Sequence, residues 1–134
     1  MAMSLPKPTC AQVERTITQQ LQAFFREHIG QRPSKVVCQI LNDGVVVILH
    51  DTLAPAERTL LDADRTESAK QFRSELHELL KPRIKELIEP IVATSVTAVL
   101  VDSDLDTGIS ILTAILEDLP QVRDPESIPK KPKG

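Results

Sequence analysis

Three aspartates at alternating positions, Asp102, Asp104 and Asp106, followed by Gly108, form the densest set of oxygen ligands in the chain. Alternating carboxylates of this kind open a calcium-binding EF-hand loop. The rest of that loop is missing, because the positions that need Gly and a bidentate Glu hold Thr107 and Thr113. The segment 102–108 therefore reads as a polar hairpin turn, with weak divalent binding at its tip as the alternative reading, and no metal is expected. His50-Asp51 could form half of a catalytic dyad, but adjacent strand residues point to opposite faces and cannot easily share a proton. His77 lies beside Glu75 and Glu78. A helical metal site wants a second ligand three or four residues away, and those positions hold Arg73, Ser74, Leu80 and Lys81. A solvated or lightly packed His77 is expected, and the same holds for His28.

Other chemistry is as thinly represented. The four glycines, Gly30, Gly44, Gly108 and Gly134, are scattered, so no phosphate-cradling loop is present. Cys10 and Cys38 read as two reduced thiols, one of them core filler, with a disulfide as the alternative. An enzyme would need the fold to assemble an acid/base set from residues such as His50, Glu57 and Arg73. The expectation is that there is none: no catalytic residue and no cofactor.

The elements that position these residues follow from periodicity. A chain of 134 residues with 41% hydrophobic content supports one core, and with only Phe24, Phe25 and Phe72 as aromatics that core must be aliphatic. Residues 1–8 read as a loose tail. Thr9 and Gln12 form a capping-box pattern, followed by Val13, Ile17, Leu21, Phe24 and His28 on one face of a helix over 10–29. Two β-branched runs, 35–41 and 45–49, flank Asn42-Asp43-Gly44, a hairpin signal. The second run has no polar alternation and is expected to be covered on both faces. Residues 52–61 read as a short helix with Pro55 in its first turn, and Asp62-Ala63-Asp64 as a break. A long helix over 66–89 buries Ala69, Phe72, Leu76, Leu79, Leu80, Ile84, Leu87 and Ile88; Pro82 should kink or split it and Pro90 should end it. A second hairpin covers 95–101 and 109–116. The proline- and lysine-rich residues 120–134 read as a disordered tail. The fold class is thus α+β: two helix–hairpin repeats giving a four-stranded antiparallel sheet with helices packed on one face, in one domain over 9–119.

The balance of 16 basic and 19 acidic residues and the scarcity of stacking side chains argue against nucleic acid as a partner. The opening MAMSLPKP lacks the apolar core of a signal peptide. The apolar stretch 91–101 is interrupted by Thr94, Ser95 and Thr97 and is too short to span a bilayer. A cytoplasmic protein is expected. Both faces of the strands are apolar while helices cover only one, which predicts a homodimer through the second sheet face or a sheet edge.

From Val13 to Leu119 the sequence resembles the MpsC-like domain family, named for a sodium-translocating, membrane-potential-generating system. The likeness is carried by Gly30-Gln-Arg-Pro33, by Asn42-Asp-Gly-Val-Val-Val47, and by Leu53 with Glu57. It continues through Arg73, Lys81-Pro82 and the Asp102–Gly108 turn leading into Ile109. Pro90 and His50 depart from the family pattern. The resemblance implies a compact α/β domain with no established catalytic residues. With no membrane segment in the chain, it implies a soluble accessory to a membrane ion or solute system. The resulting expectation is a non-catalytic interaction or regulatory module with an unidentified protein partner. The alternative is a sensor that binds a small ligand or ion between helices and sheet.

Overall fold

The computed structural model describes residues 6–129. Helix α1 runs Cys10–His28. Its start is fixed by the full capping box: Gln12 N–H donates to Thr9 Oγ1 (3.1 Å) while Thr9 N–H donates to Gln12 Oε1 (2.9 Å). Val13, Ile17, Leu21, Phe24 and Phe25 form its buried stripe, and Gly30, at φ 87°, turns the chain out of it. Strands β1 (Lys35–Leu41) and β2 (Gly44–His50) form the first hairpin, α2 (Pro55–Asp62) and α3 (Thr66–Val92) follow, and β3 (Val96–Asp104) with β4 (Ile109–Leu116) form the second.

The four strands make one antiparallel sheet in the order β1-β2-β4-β3, so β2 and β4 are central and β1 and β3 are edges. Three cross-strand rows point toward α1 and α3: Val36–Leu49–Ser110–Ser103, Cys38–Val47–Leu112–Val101 and Ile40–Val45–Ala114–Val99. Together with the helix stripes these rows form the aliphatic core. Gly44 is required by the pairing, because a Cβ there would lie 3.0 Å from the Ala114 carbonyl oxygen.

Several expectations are corrected. Pro82 and Pro90 both lie inside a continuous α3, which ends at Ala93 in the left-handed conformation (φ 56°). Both prolines sit on the exposed side. The carbonyls they leave without an amide partner, on Glu78 and Glu86, are on exposed residues where water can reach them. Phe72 and Leu79, expected in the core, are 38% and 71% exposed, and Arg73 is buried in their place. Strand β2 is uncovered on its outer side, where Ile48 is exposed. Strand β3 extends through Asp104, so Asp102 and Asp104 are strand residues and only 105–108 form the turn.

The segment 120–129, expected to be disordered, lies against the body. Pro120, Val122 and Ile128 are buried, and Asp124 Oδ1 accepts the Cys10 N–H (2.8 Å) at the start of α1. Three apolar side chains and one helix-capping carboxylate hold a proline-rich stretch that composition alone marks as loose. Residues 6–8 carry no regular structure. The rest of the expected N-terminal tail, 1–5, and the lysine-rich end, 130–134, lie outside the described residues.

Candidate functional site

Beneath the β3–β4 hairpin the core turns polar. Pro55 opens α2, which places Glu57 at the third helical position; its carboxylate turns back to accept the Ala54 N–H (2.8 Å). The same carboxylate receives Arg73 from α3, with Nε donating to Oε2 at 2.7 Å and Nη2 donating to Oε1. Nη2 also donates to the Thr52 carbonyl (2.6 Å). Glu57 is fully buried and Arg73 is 4% exposed, so this fork-on-fork pair is shielded from water. Its hydrogen bonds must offset a desolvation penalty of several kcal/mol per ion.

A file of hydroxyls leads away from the pair. Thr52 Oγ1 donates to the Gly108 carbonyl (2.9 Å) and lies 2.6 Å from Ser110 Oγ. Ser110 Oγ lies 2.6 Å from Ser103 Oγ, which lies 3.1 Å from His77 Nε2. Each hydroxyl has one proton. With the Thr52 proton on Gly108, Ser110 donates to Thr52, Ser103 to Ser110, and His77 Nε2 to Ser103. Burial holds His77 below its ordinary pKa, and the nearby Arg73 charge adds to the effect. Gly108, at φ 74° and packed on Leu53 and Asp51, brings the turn close enough for Thr52 to reach its carbonyl.

Between α3 and β3 this polar layer opens into a cleft of about 570 Å³. One wall is the helical series Thr66, Lys70, Arg73, His77 and Lys81; the other is β3 from Val101 and the following turn through Asp106.

The opposite side of the sheet has a different character. Its rows are Val37–Ile48–Ile111–Asp102, Gln39–Val46–Thr113–Leu100 and Leu41–Gly44–Ile115–Ala98. Val37, Ile48, Ile111 and Leu100 are all exposed, Leu100 by 58%. At one end Lys35 pairs with His50 on β2, and Asp104 pairs with Ile109 on β4. Continuing these pairings across the sheet puts a cation and a carboxylate at opposite edges of the same row.

The residues singled out from sequence fare unequally. Glu57 and Arg73 come together, whereas His50 sits on the outer sheet face and does not join them. His77 is half-buried and bonded to Ser103. Asp51, at φ 59°, accepts a hydrogen bond from Ser34, and His28 lies against Phe24 with ring centroids 4.5 Å apart. Asp102 accepts the Ser103 N–H and Asp104 accepts the Thr107 hydroxyl. Among the described residues no three His, Cys, Asp or Glu side chains gather as a metal site. Both thiols are free. Burial raises each, Cys38 to about 12 with Glu14 adding to the effect, and Cys10 with help from Asp124. Ser103, Ser110 and Thr52 went unnoticed in the sequence. The signal was there: Ser110 occupies an inward position on a strand whose other inward residues are Leu112, Ala114 and Leu116.

These features define a two-layer α+β domain with helices on one sheet face, a bare apolar second face and a polar cleft at one edge. Residues 9–118 match the family described as Na+-translocating membrane potential-generating system (MpsC), and the chain belongs to that family. No curated protein and no solved structure matches it. No helix among the described residues is long and apolar enough to cross a membrane.

Proposed function

We propose that this protein is a non-catalytic, cytoplasmic interaction module that works as a homodimer through its outer sheet face, serving as a regulatory accessory to a membrane ion or solute system. The observation that carries the dimer is the arrangement of that face: three largely apolar rows with Lys35 and Asp104 at opposite edges of a fourth. A two-fold axis lying in the interface and running along the strands sets β1 of one copy over β3 of the other and keeps each row in register. Lys35 then faces Asp104 of the partner subunit, and symmetry repeats the contact. Two sheets stacked this way stay within about 30° of parallel, the usual aligned packing. Four strands at ~4.8 Å and about seven residues at ~3.3 Å give a face of roughly 400 Å² in projection. A face of this extent suits a small interface, and association in the micromolar range is the expectation to test.

Support for a non-catalytic role comes from how the buried ionisable groups are engaged: Glu57 and Arg73 bind each other and the backbone, and the His77 file ends on a carbonyl. The link to a membrane system rests on the family description.

Charge reversal tests the geometry. Rim ion pairs contribute about 0.2–1 kcal/mol each, so Lys35→Glu and Asp104→Lys should each weaken the dimer severalfold, and the double swap should restore it. Additive weakening in the double swap would overturn the axis. For the accessory role, membranes solubilised in mild detergent should yield the protein bound to an integral membrane subunit; recovery only as free dimer would count against it.

A further inference from the structure

We propose that the cleft between α3 and β3 binds a small zwitterion of the α-amino-acid class, its carboxylate on Arg73 and its ammonium toward Asp106. The argument starts from the donor count of Arg73. A guanidinium carries five N–H donors. Three are engaged, Nε with Glu57 Oε2 and the pair on Nη2 with Glu57 Oε1 and the Thr52 carbonyl. Nη1 bonds to nothing among the described residues. No side-chain nitrogen or oxygen that is sealed from solvent among them lacks a partner, so Nη1 reaches the cleft that Arg73 lines. A side chain 4% exposed thus presents Nη1, with its diverging N–H donors, to the cavity. Its other donors lock it in place, which lowers the ordering cost of binding. A charged N–H donor of this kind makes a strong single hydrogen bond to a carboxylate oxygen.

The charge of the lining narrows the class. Lys70, Arg73 and Lys81 stand against Glu78, Asp102, Asp104 and Asp106, and the Arg73 charge is already balanced by Glu57. A multiply charged anion such as phosphate meets no net attraction there, and a simple cation meets the Arg73 donors at the floor. A molecule with one carboxylate and one ammonium suits both walls. Asp106, in the turn, has no hydrogen bond or ion pair among the described residues, leaving its carboxylate available to the ammonium. The volume, about 570 Å³, falls within the ~300–1,000 Å³ of small-molecule sites. Ser74 and His77, on the same helix face, supply further polar contacts along the ligand's length.

The test is an amide-resolved NMR titration of the full chain with the proteinogenic amino acids, alongside acetate, methylammonium and inorganic phosphate. At least one amino acid should shift resonances of residues 70–77 and 103–106 saturably, with none of the three simple ions saturating in the same range. The carboxamide analogue of that amino acid should bind about tenfold more weakly, and so should the amino acid to Asp106→Asn, each having lost one charge-assisted hydrogen bond. Both changes leave the Glu57–Arg73 pair intact, so folding is not at stake. Failure of every amino acid to saturate, saturation by phosphate alone, or undiminished binding in either altered pair overturns the proposal. The cleft shares Asp102 and Asp104 with the rim of the outer sheet face but not Leu100, so Leu100→Asp should bind the same ligand equally well.

Discussion

Where α1 lies on the first hairpin, Val13, Ile17 and Leu21 meet an inner strand surface of Val36, Cys38 and Ile40. Where α3 lies on the second hairpin, Arg73 and His77 meet Val101 and Ser103. The first contact is held mainly by apolar burial, with one hydrogen bond at its margin from the Ile40 N–H to Glu14 Oε2 (3.0 Å). The second contains a buried ion pair, three hydroxyls and an imidazole, each of which must find a partner or destabilise the fold. An aliphatic contact closes on itself; a polar one leaves donors at its margin, and the cleft lies at that margin. Stability draws on both contacts, since Leu80, Ile84, Ile88 and Leu112 of the second half are buried in the same core, while the ligand chemistry lies in the second.

The sharpest way to break this contrast is to remove one member of the buried pair. Glu57→Ala should cost about 3–5 kcal/mol in urea denaturation, because Arg73 is left charged and unpaired. Replacing both residues with apolar side chains of similar volume should recover much of that loss. In the first half, Leu21→Ala should cost about 2–5 kcal/mol by leaving a cavity, and no second polar-to-apolar change can rescue it. If the double apolar replacement is no better than Glu57→Ala, the polar half is not held by that pair.

Acid should separate the halves next. The unfolded chain takes up the His77 proton at a higher pH than the folded one, since burial depresses the folded value. This contribution to stability is complete above about pH 6.5 and declines as the pH falls below it. His77→Gln, which keeps a donor for Ser103, should lose that part of the acid slope in thermal melts from pH 8 to 5. An unchanged slope would place the titration elsewhere.

The smallest effects concern how the two helices end. Gly30 and Ala93 both leave a helix with positive φ, 87° and 56°. Ala93→Gly should gain up to about 1 kcal/mol and Gly30→Ala should lose a similar amount, both read as shifts in the denaturation midpoint.

Much of the fold could be read from the sequence because its signals are local. The Thr9–Gln12 capping box, the Asn42-Asp43 turn and the alternating strand faces each depend on a few neighbouring residues. What was missed depends on tertiary context. Arg73 belongs to the apolar series 69-73-76-80-84, and only the approach of Glu57 from another helix makes it a core residue. Pro82 and Pro90 reside within a helix because the carbonyls they orphan face solvent, which a sequence window does not show. The segment 120–129 packs because Asp124 meets the amide of Cys10, a partner 114 positions away. Of the candidate site, Glu57 and Arg73 were named, but the cleft they support needed the hydroxyl file, whose members are common residues with no spacing of their own.

The bare sheet face carries the proposed function, and sedimentation equilibrium tests it most directly. Wild-type protein examined from low micromolar to several hundred micromolar should pass from a 14.8 kDa species to one of twice that mass. Leu100→Asp, placing a carboxylate on the middle row of the face at its β3 edge, should hold the protein at the lower mass throughout with an unchanged thermal midpoint. Wild-type protein that stays at 14.8 kDa across that range, or a Leu100→Asp variant that dimerises as well as wild type, would contradict the account.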